Sequence, residues 1–276
     1  MIEINIDPVL IRLGLVMITW HGFFTAVGVL AGIWLATRFA VERGFIEDDI
    51  MSVALWCVVG GIVGARLFHV IDAWDYYSAD PLAIVRVNEG GLAIWGTIVG
   101  GPIAGAIYCW RRGLSVPRLL DICGLGLILG MAIGRLGDIV NGEHHGAATS
   151  LPWSVRYTHP QTLGEPGVPV HLAVGYELLW DVAILAICSW LLYRRLMPRD
   201  SMVWWSMIAL YSAGRFVVQF FRIDTPFLMG LSQAQFLSFA IGALAVWILV
   251  YMWTRASREQ ARPAVRVGGS EDGGTT

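Results

Sequence analysis

A polar stretch closes an apolar run at positions 134–143, Gly-Arg-Leu-Gly-Asp-Ile-Val-Asn-Gly-Glu. Arg135, Asp138 and Asn141 share about one helical face if the helix continues that far. An ionisable group near hydrocarbon costs several kcal/mol unless it is paired or faces a wet cavity. A guanidinium group matches phosphate and carboxylate bidentately. The stretch therefore predicts an anion site, with simple pairing of Arg135 to Asp138 or Glu143 as the alternative.

A second polar stripe lies on a later apolar run. Tyr211, Arg215, Gln219 and Arg222 are spaced four, four and three residues apart, which places them on one face of a helix. Arg222 could equally be an interfacial anchor. Arg215 is about 10 Å deeper at 1.5 Å per residue, and no acid lies within one helical turn of it. Its counter-charge must come from another helix or a ligand, and Glu177 is an acid that could balance Arg135 or Arg215, more plausibly as a structural ion pair.

Histidines and one tryptophan complete the candidate side chains. A lone histidine is more often a satisfied polar group than a base. The neighbouring histidines His144 and His145 have no third metal ligand nearby at suitable spacing. The four cysteines are scattered singly in apolar runs without a C-x-x-C pair, so neither a metal site nor a disulfide framework is indicated. We expect no metal and no cofactor, and keep His21 and Trp95 as candidates.

The elements that must position these residues are membrane helices. The 276 residues are 56% hydrophobic and 14% charged, whereas a soluble domain carries about 25% charged residues. The net charge of −2, with no basic cluster among exposed aromatics, argues against a nucleic-acid partner. The fold class predicted is all-α, a polytopic membrane protein with seven transmembrane helices. The predicted spans are 15–37, 51–71, 92–110, 119–140, 172–193, 202–221 and 234–254.

The orientation follows from the arginines, because cytoplasmic loops of membrane proteins carry more positive charge. Twelve arginines follow spans 1, 3 and 5 or lie in the tail, four lie on the opposite side, and Arg66, Arg135 and Arg215 lie at membrane depth. This bias predicts an outside N-terminus and a cytoplasmic C-terminus, with the long loop 141–171 outside. We expect one transmembrane domain over 1–261 and a disordered cytoplasmic tail over 262–276, which is rich in Gly, Ser and Thr.

Glycines recur every four residues in several spans. Such spacing lays a small-residue face along a helix and predicts close helix packing, while a lipid chain lying in such a groove is the alternative. The sets are Gly28/Gly32, Gly60/Gly64, Gly96/Gly100, Gly101/Gly105 and Gly126/Gly130/Gly134.

The chain resembles the prolipoprotein diacylglyceryl transferases of bacteria. The signature of that family, Gly-Arg-x-Gly-Asn-Phe-x-Asn-Gly-Glu with a Gly three residues beyond, matches 134–143 and Gly146. The resemblance covers nearly the whole chain, and its further matches are 20–22, 64–67, 80–82, 90–96, 171–177 and 211–222. The chain departs from the family pattern at four positions: His21 replaces a Tyr, Trp95 a His, Asp138 an Asn, and Gln219 a Glu.

The resemblance implies a reaction in the bacterial cytoplasmic (inner) membrane. The diacylglyceryl group of phosphatidylglycerol moves to the thiol of the lipobox cysteine in a prolipoprotein signal peptide, and glycerol phosphate leaves. Cations should face the departing phosphate, a base should activate the thiol, and membrane lipids are further partners. We expect catalytic roles for His21, Asp138, Glu143 and Arg215. We expect phosphatidylglycerol contacts from Arg135, Asn141, Gly146, Tyr211, Gln219, Arg222 and Trp95.

Two alternatives remain at this point. A divergent homologue could bind anionic phospholipid without the transfer activity, because the family His proposed to activate the thiol is absent and Asp138 adds a negative charge. A small transporter or channel is less well supported, since the polar groups gather at one end of the spans and not along a central path.

Overall fold

The structure is a computed structural model that describes residues 1–14, 16–86 and 90–260. In this part of the chain seven long helices correspond one to one with the predicted apolar runs. A short helix and two 3₁₀ segments, Pro81–Val85 and Gln219–Phe221, lie between them. The helices are α1 (Trp20–Val41), α2 (Glu47–Asp72), α3 (Trp74–Ala79), α4 (Ile94–Arg112), α5 (Val116–Asn141), α6 (Ala173–Tyr193), α7 (Met202–Val218) and α8 (Gln233–Gln260).

Five of these helices, α1, α2, α5, α6 and α8, are long and apolar enough to cross a membrane. Helix α7 has 17 residues, about 26 Å at 1.5 Å per residue, which is short for a ~30 Å hydrocarbon core. Helix α4 has 19 residues that include Pro102 and several glycines of low hydropathy. The architecture is therefore that of a mainly helical, multi-pass membrane protein, while the number of seven spans and the orientation stay predictions.

The predicted start of the first span at residue 15 is wrong. Val16–Thr19 is a strand, and α1 begins at Trp20, where the Thr19 hydroxyl accepts a hydrogen bond of 3.1 Å from the Gly22 amide. Side chains that cap a helix in this way fix its first turn. The predicted disordered tail 262–276 lies outside the described residues.

Short strands, which the all-α prediction omitted, join the helix ends. They are β1 (Ile2–Ile4), β2 (Val9–Leu13), β3 (Val16–Thr19), β4 (Val155–Tyr157), β5 (Pro169–Val170), β6 (Pro226–Leu228) and β7 (Leu231–Ser232). Strand β1 pairs in parallel with β4, which pairs antiparallel with β5, and β2–β3 and β6–β7 are hairpins. At two to five residues these strands are too short to show a period-two pattern in the sequence.

Glycines bring two helix pairs into backbone contact, α1 with α5 and α2 with α4. A Cβ added to Gly28 would lie 2.6 Å from the carbonyl oxygen of Gly130, and one added to Gly60 would lie 2.7 Å from that of Gly100. No larger side chain fits such an approach. The predicted close packing is confirmed at these glycines, and it aligns the start of α1 with the end of α5.

A buried cluster fixes α5, α6 and α7 to one another. Its members include Leu125 and Ile128 of α5, Ile184 and Cys188 of α6, and Met207 of α7. All five are at most 3% exposed. Since apolar side chains gain no hydrophobic energy against lipid, such dense van der Waals packing is what associates membrane helices. The same packing places the end of α5, the start of α6 and the end of α7 side by side.

Candidate active site

A buried carboxylate at the start of α6 gathers three arginines, and we call this group the Glu177 cluster. Arg135 Nη2 of α5 lies 2.9 Å from Glu177 Oε2, and Arg222 Nη1 lies 3.7 Å from Glu177 Oε1. Arg215 of α7 donates to the same Oε1 atom. The Glu177 side chain is 5% exposed. Three guanidinium groups thus share one carboxylate.

Two further residues border this cluster. Asp181, one helical turn beyond Glu177, is buried and has its Oδ2 4.0 Å from Arg135 Nε. Tyr211 of α7 lies within electrostatic range of Arg135, Arg215, Glu177 and Asp181. The structure therefore brings together Arg135, Arg215, Arg222 and Tyr211, as predicted from the two stripes. Asp181 is a further counter-charge for Arg135, in addition to Glu177.

The Arg222 guanidinium lies just beyond α7 and its 3₁₀ continuation. Burial lowers the pKa of Arg222, and the nearby positive charge of Arg215 acts in the same direction. The carboxylates of Glu177 and Asp224 oppose this lowering. Its Nε is buried without a hydrogen-bond partner among the described residues. An additional anion at this position would relieve the repulsion between the guanidinium groups.

His21 and Asp138 form a hydrogen-bonded pair beside the cluster. His21 Nδ1 of α1 lies 2.6 Å from Asp138 Oδ1 of α5, and Arg135 Nη1 lies 3.5 Å from Asp138 Oδ2. The Asp138 side chain is 6% exposed and that of His21 is 45% exposed. A buried carboxylate on Nδ1 orients the ring and leaves Nε2 available for proton transfer. This is the arrangement of a histidine base positioned by an aspartate.

The His21–Asp138 pair depends on Gly137. A Cβ added to Gly137 would lie 2.6 Å from the Cα of His21 and 2.9 Å from the carbonyl oxygen of Trp20. The first turn of α1 therefore rests directly on the backbone of α5. This contact explains how residues 117 positions apart in sequence meet.

Asn141 and Glu143 end α5. Asn141 is fully buried, and its Nδ2 donates a hydrogen bond of 2.8 Å to Glu143 Oε1. Its backbone carbonyl accepts from the Leu163 amide at 3.0 Å, and its Oδ1 has no partner among the described residues. Asn141 therefore anchors the following loop, and the predicted contact with a lipid head group stays a prediction.

Tyr157 of β4 also holds that loop to α5. Its hydroxyl donates a hydrogen bond of 2.9 Å to the carbonyl oxygen of Ile139. Burial raises the pKa of Tyr157 to about 12, and the negative charge of Asp138 adds to the rise. The phenol thus remains a neutral donor at physiological pH.

Gly146 brings the loop after α5 against the segment that carries Arg222. A Cβ added to Gly146 would lie 2.6 Å from the Cβ of His171, and Gly146 forms a β-bridge with Arg222. Nearby, Gln219 is 4% exposed and donates to Asp224. The geometry gives Gly146 and Gln219 positioning roles for Arg222. Direct contacts of both residues with phosphatidylglycerol stay predictions.

Trp95 and Arg66 lie outside the cluster. Trp95, at the start of α4, is half exposed, and its side chain has no hydrogen bond or ring contact with the described residues. Arg66 of α2 donates to the carbonyl oxygens of Ile84, Gly90 and Gly91 at 2.7–2.9 Å. Arg66 therefore anchors the loop between α3 and α4. The predicted lipid contact of Trp95 is untested.

Among the described residues, one group of side chains could hold a metal ion. Ligand atoms of His21, Asp138 and Glu143 lie within 4.8 Å of one another. Asp138 already pairs with His21 and with the cation Arg135, which competes with a metal for the carboxylate. The hydrogen-bonded pair is the interpretation that accounts for both contacts of Asp138.

An apolar groove of about 450 Å³ lies along α1, α2 and α5. Gly28, Gly32, Gly126 and Gly130 line it, as does Gly134, the sequence neighbour of Arg135. The glycines thus allow close packing and also leave space at the side of the helices. The alternative explanation of their spacing, a lipid chain lying in such a groove, stays a prediction.

Sequence reasoning placed Glu177 as a counter-charge, and the contact with both Arg135 and Arg215 is confirmed. It omitted Asp181 and Asp224. The signal for Asp181 was its spacing, because an acid four residues after Glu177 lies on the same helix face. Asp224 lies in a loop beyond α7, where helical spacing predicts no contact with Gln219.

Comparison with known proteins gives one consistent family. The family model described as prolipoprotein diacylglyceryl transferase matches residues 8–251. A protein of Dehalococcoides mccartyi is 36% identical over 91% of this chain and 95% of its own length. A protein of Gloeobacter violaceus is 32% identical over 92% of this chain and 96% of its own length. A protein of Geobacillus kaustophilus is 37% identical over 88% of this chain and 92% of its own length. All three are named phosphatidylglycerol–prolipoprotein diacylglyceryl transferase.

Proposed function

Because the chain belongs to the prolipoprotein diacylglyceryl transferase family, we propose that it transfers the diacylglyceryl group of phosphatidylglycerol to a lipobox cysteine. The observation that carries the proposal is the position of the His21–Asp138 pair beside the Glu177 cluster. Arg135 links the candidate base to the cations, because it contacts Asp138 of the pair and Glu177 of the cluster. Such an arrangement suits attack by a thiol and departure of a phosphate.

The Glu177 cluster supports the leaving step. As the glyceryl carbon–oxygen bond breaks, its electron pair goes to the phosphate oxygen of the departing glycerol phosphate. Cations fixed at the point where charge develops are among the largest contributors to catalysis. Arg135, Arg215 and Arg222 are held in place by Glu177 and Asp181, so that little reorganisation is needed.

The His21–Asp138 pair supports the attacking step. The thiolate is the nucleophilic form of cysteine. His21 Nε2 takes the thiol proton, and the sulfur forms a carbon–sulfur bond with the glyceryl carbon. Two of the four departures from the family pattern, His21 and Asp138, contact each other. This contact supports a base relocated from the position now occupied by Trp95.

The apolar groove supports binding of the lipid. An acyl chain in the groove would lie along α1, α2 and α5, and the head group would reach Arg135, the sequence neighbour of the lining residue Gly134. A groove of this volume falls within the range of small-ligand sites. The loop after α5, held by Asn141 and Tyr157, then borders the entry of the signal peptide.

The alternative is a homologue that binds anionic phospholipid without transferring it. The half-exposed Trp95 at the family His position and the carboxylates that pair with each cluster arginine favour it. The site residues, the inner-membrane location and the cytoplasmic C-terminus belong to the proposal in either case.

A transfer assay tests the proposal. Purified full-length protein in neutral detergent is mixed with labelled phosphatidylglycerol and a lipobox peptide, and the thioether product is measured. We expect product from the wild type, loss of product in Arg135→Ala, and no change in Arg258→Ala, an exposed arginine of α8. Lipid binding without product would support the alternative. Equal activity of the two variants would exclude the cluster as the leaving-group site.

A further inference from the structure

A polar cavity lies at the opposite end of the helices from the Glu177 cluster. It has a volume of about 320 Å³, and four arginines line it: Arg43, Arg118, Arg195 and Arg199. From Arg118 to Arg135 along α5 is about 25 Å at 1.5 Å per residue. We call this cavity the distal pocket. It is too far from the His21–Asp138 pair to take part in the proposed transfer.

The acidic residues around the distal pocket are already engaged. Asp121 accepts hydrogen bonds of 2.8 Å from the backbone amides of Ser201 and Trp204, and thereby caps the start of α7. Asp200 lies 3.8 Å from Arg118, with both side chains more than half exposed. Glu259 pairs with Arg199. Among the described residues, the carboxylates therefore leave the other two arginines of the pocket, Arg43 and Arg195, without an ion-pair partner.

Arg43 and Arg195 carry the unmatched charge. Arg43 donates only to carbonyl oxygens, to Phe39 at 3.2 Å and Leu192 at 3.0 Å. Within residues 1–14, 16–86 and 90–260, the Arg195 side chain has no hydrogen-bond or ion-pair partner. Burial lowers the pKa of Arg43, and the like charge of Arg195 acts in the same direction, against Glu42 and Asp121. Two guanidinium groups that line one cavity, neither of them in an ion pair with a described carboxylate, favour an anion there.

One further observation points the same way. The Nε of Arg199 is buried in the structure without a hydrogen-bond partner among the described residues. The φ of 52° at Arg195 belongs to the left-handed ending of α6, in which the Leu196 amide donates to the Leu191 carbonyl oxygen at 3.1 Å. This ending fixes the backbone from which the Arg195 side chain extends.

We propose that the distal pocket binds a phosphate group through Arg43 and Arg195. A guanidinium group donates two parallel hydrogen bonds to phosphate oxygens. Leu191, Leu192 and Val203 form apolar walls beside the arginines. A phosphate diester of an anionic phospholipid and free inorganic phosphate share the required chemistry. This site is independent of the proposed transferase activity.

The test uses full-length protein in neutral detergent. Inorganic phosphate is titrated by calorimetry into the wild type, Arg195→Gln, Arg195→Lys and Arg258→Gln. Arg258 is the matched control, because it is an exposed arginine near the same end of the molecule. In a second arm, native mass spectrometry counts bound phosphatidylglycerol and phosphatidylcholine on the same variants. Thermal unfolding checks that Arg195→Gln is folded. If Arg195→Gln does not fold, Arg195→Lys, which retains the positive charge, takes its place in the comparison.

We expect Arg195→Gln to weaken binding about tenfold or more, because a charge-assisted pair is lost. Arg195→Lys should retain part of the affinity, and Arg258→Gln all of it. Loss of one bound phosphatidylglycerol in Arg195→Gln identifies a lipid head group, and an effect on inorganic phosphate alone identifies a soluble phosphate. Equal binding of both ligands by wild type and Arg195→Gln overturns the proposal.

Discussion

At the scale of single residues, two of the four replaced family positions are in contact. His21 and Asp138 are both departures from the family signature, and they form a 2.6 Å pair. A third departure, Gln219, donates to Asp224, which supplies a carboxylate near the place where the family has a Glu. Trp95 remains a departure that no contact of the described residues explains. Two of the four changed residues, His21 and Asp138, are thus partners of each other.

The His21–Asp138 pair predicts a non-additive pair of mutations. His21→Gln and Asp138→Asn should each lower kcat about 10²–10⁴-fold, because general-base catalysis contributes about that factor. The double variant should be no slower than the slower single variant, since the two side chains act as one unit. The transfer assay measures all three. His144→Asn is a control, because His144 is exposed and has a φ of 55° that Asn tolerates. Effects that multiply would contradict the paired role.

Glu177 predicts a large loss of stability when its charge is removed. In Glu177→Gln, three guanidinium groups lose their shared counter-charge in a buried site. Removing one partner of a buried ion pair costs about 3–5 kcal/mol. Denaturant unfolding in detergent measures the change, and Glu259→Gln, with an exposed carboxylate that pairs with Arg199, should have a much smaller effect. Unchanged stability in Glu177→Gln would show that the cluster is not held by this carboxylate.

At the scale of elements, the close contact of α1 with α5 decides whether the site forms. Thr19 fixes the start of α1, and the small residues along both helices permit the backbone approach. The helix bounds were largely predictable, because apolar runs of about 20 residues follow from the thickness of the bilayer. The pairing of α1 with α5 was not predictable from the sequence, because it depends on packing between helices that are distant in sequence.

Gly137 gives the prediction at this scale. Gly137→Ala places a methyl group against the Trp20 and His21 backbone, so α1 must shift away from α5. We expect a lower thermal unfolding midpoint and a large loss of transfer activity. Gly134→Ala is the control for stability, because nothing lies within 4 Å of a Cβ at that position. Equal unfolding midpoints of the two variants would mean that α1 does not rest on Gly137.

The candidate site, like the helices, was predictable from the sequence only in part. The stripe from Tyr211 to Arg222 and the motif of Arg135 already indicated that cations gather at one end of the spans. The sequence contained no signal that Arg66 would donate to loop carbonyls, because those contacts depend on how the loop between α3 and α4 folds back. The short strands were missed for the same reason, since β1 pairs with β4 about 150 residues later.

At the scale of the whole molecule, the two ends of the helices carry different polar groups. The Glu177 cluster lies at one end, and the distal pocket with its four arginines lies at the other. The bias of arginines toward one side predicts that the distal pocket faces the cytoplasm. The long loop after α5 then faces outward together with the candidate active site.

Labelling of introduced cysteines checks this orientation. Leu163 in the long loop and Arg258 on α8 are both exposed, whereas the native cysteines are buried or half-buried. In spheroplasts, a membrane-impermeant maleimide should label Leu163→Cys at once and Arg258→Cys only after lysis. The wild type gives the background from native cysteines. The opposite order of labelling would reverse the predicted topology.

Glu177 joins side chains from α5, α6, α7 and the segment after α7, and these are synthesised one after another. While α5 enters the bilayer, Arg135 has only Asp138, on its own helix, to neutralise it. Glu177 arrives with the next long helix, and Arg215 and Arg222 arrive later still. A nascent or truncated chain therefore cannot assemble the constellation of charges before α7 is inserted. The last charge of the cluster, Arg222, therefore emerges only after α7 and before α8, so any chain that ends before residue 222 lacks the complete cluster.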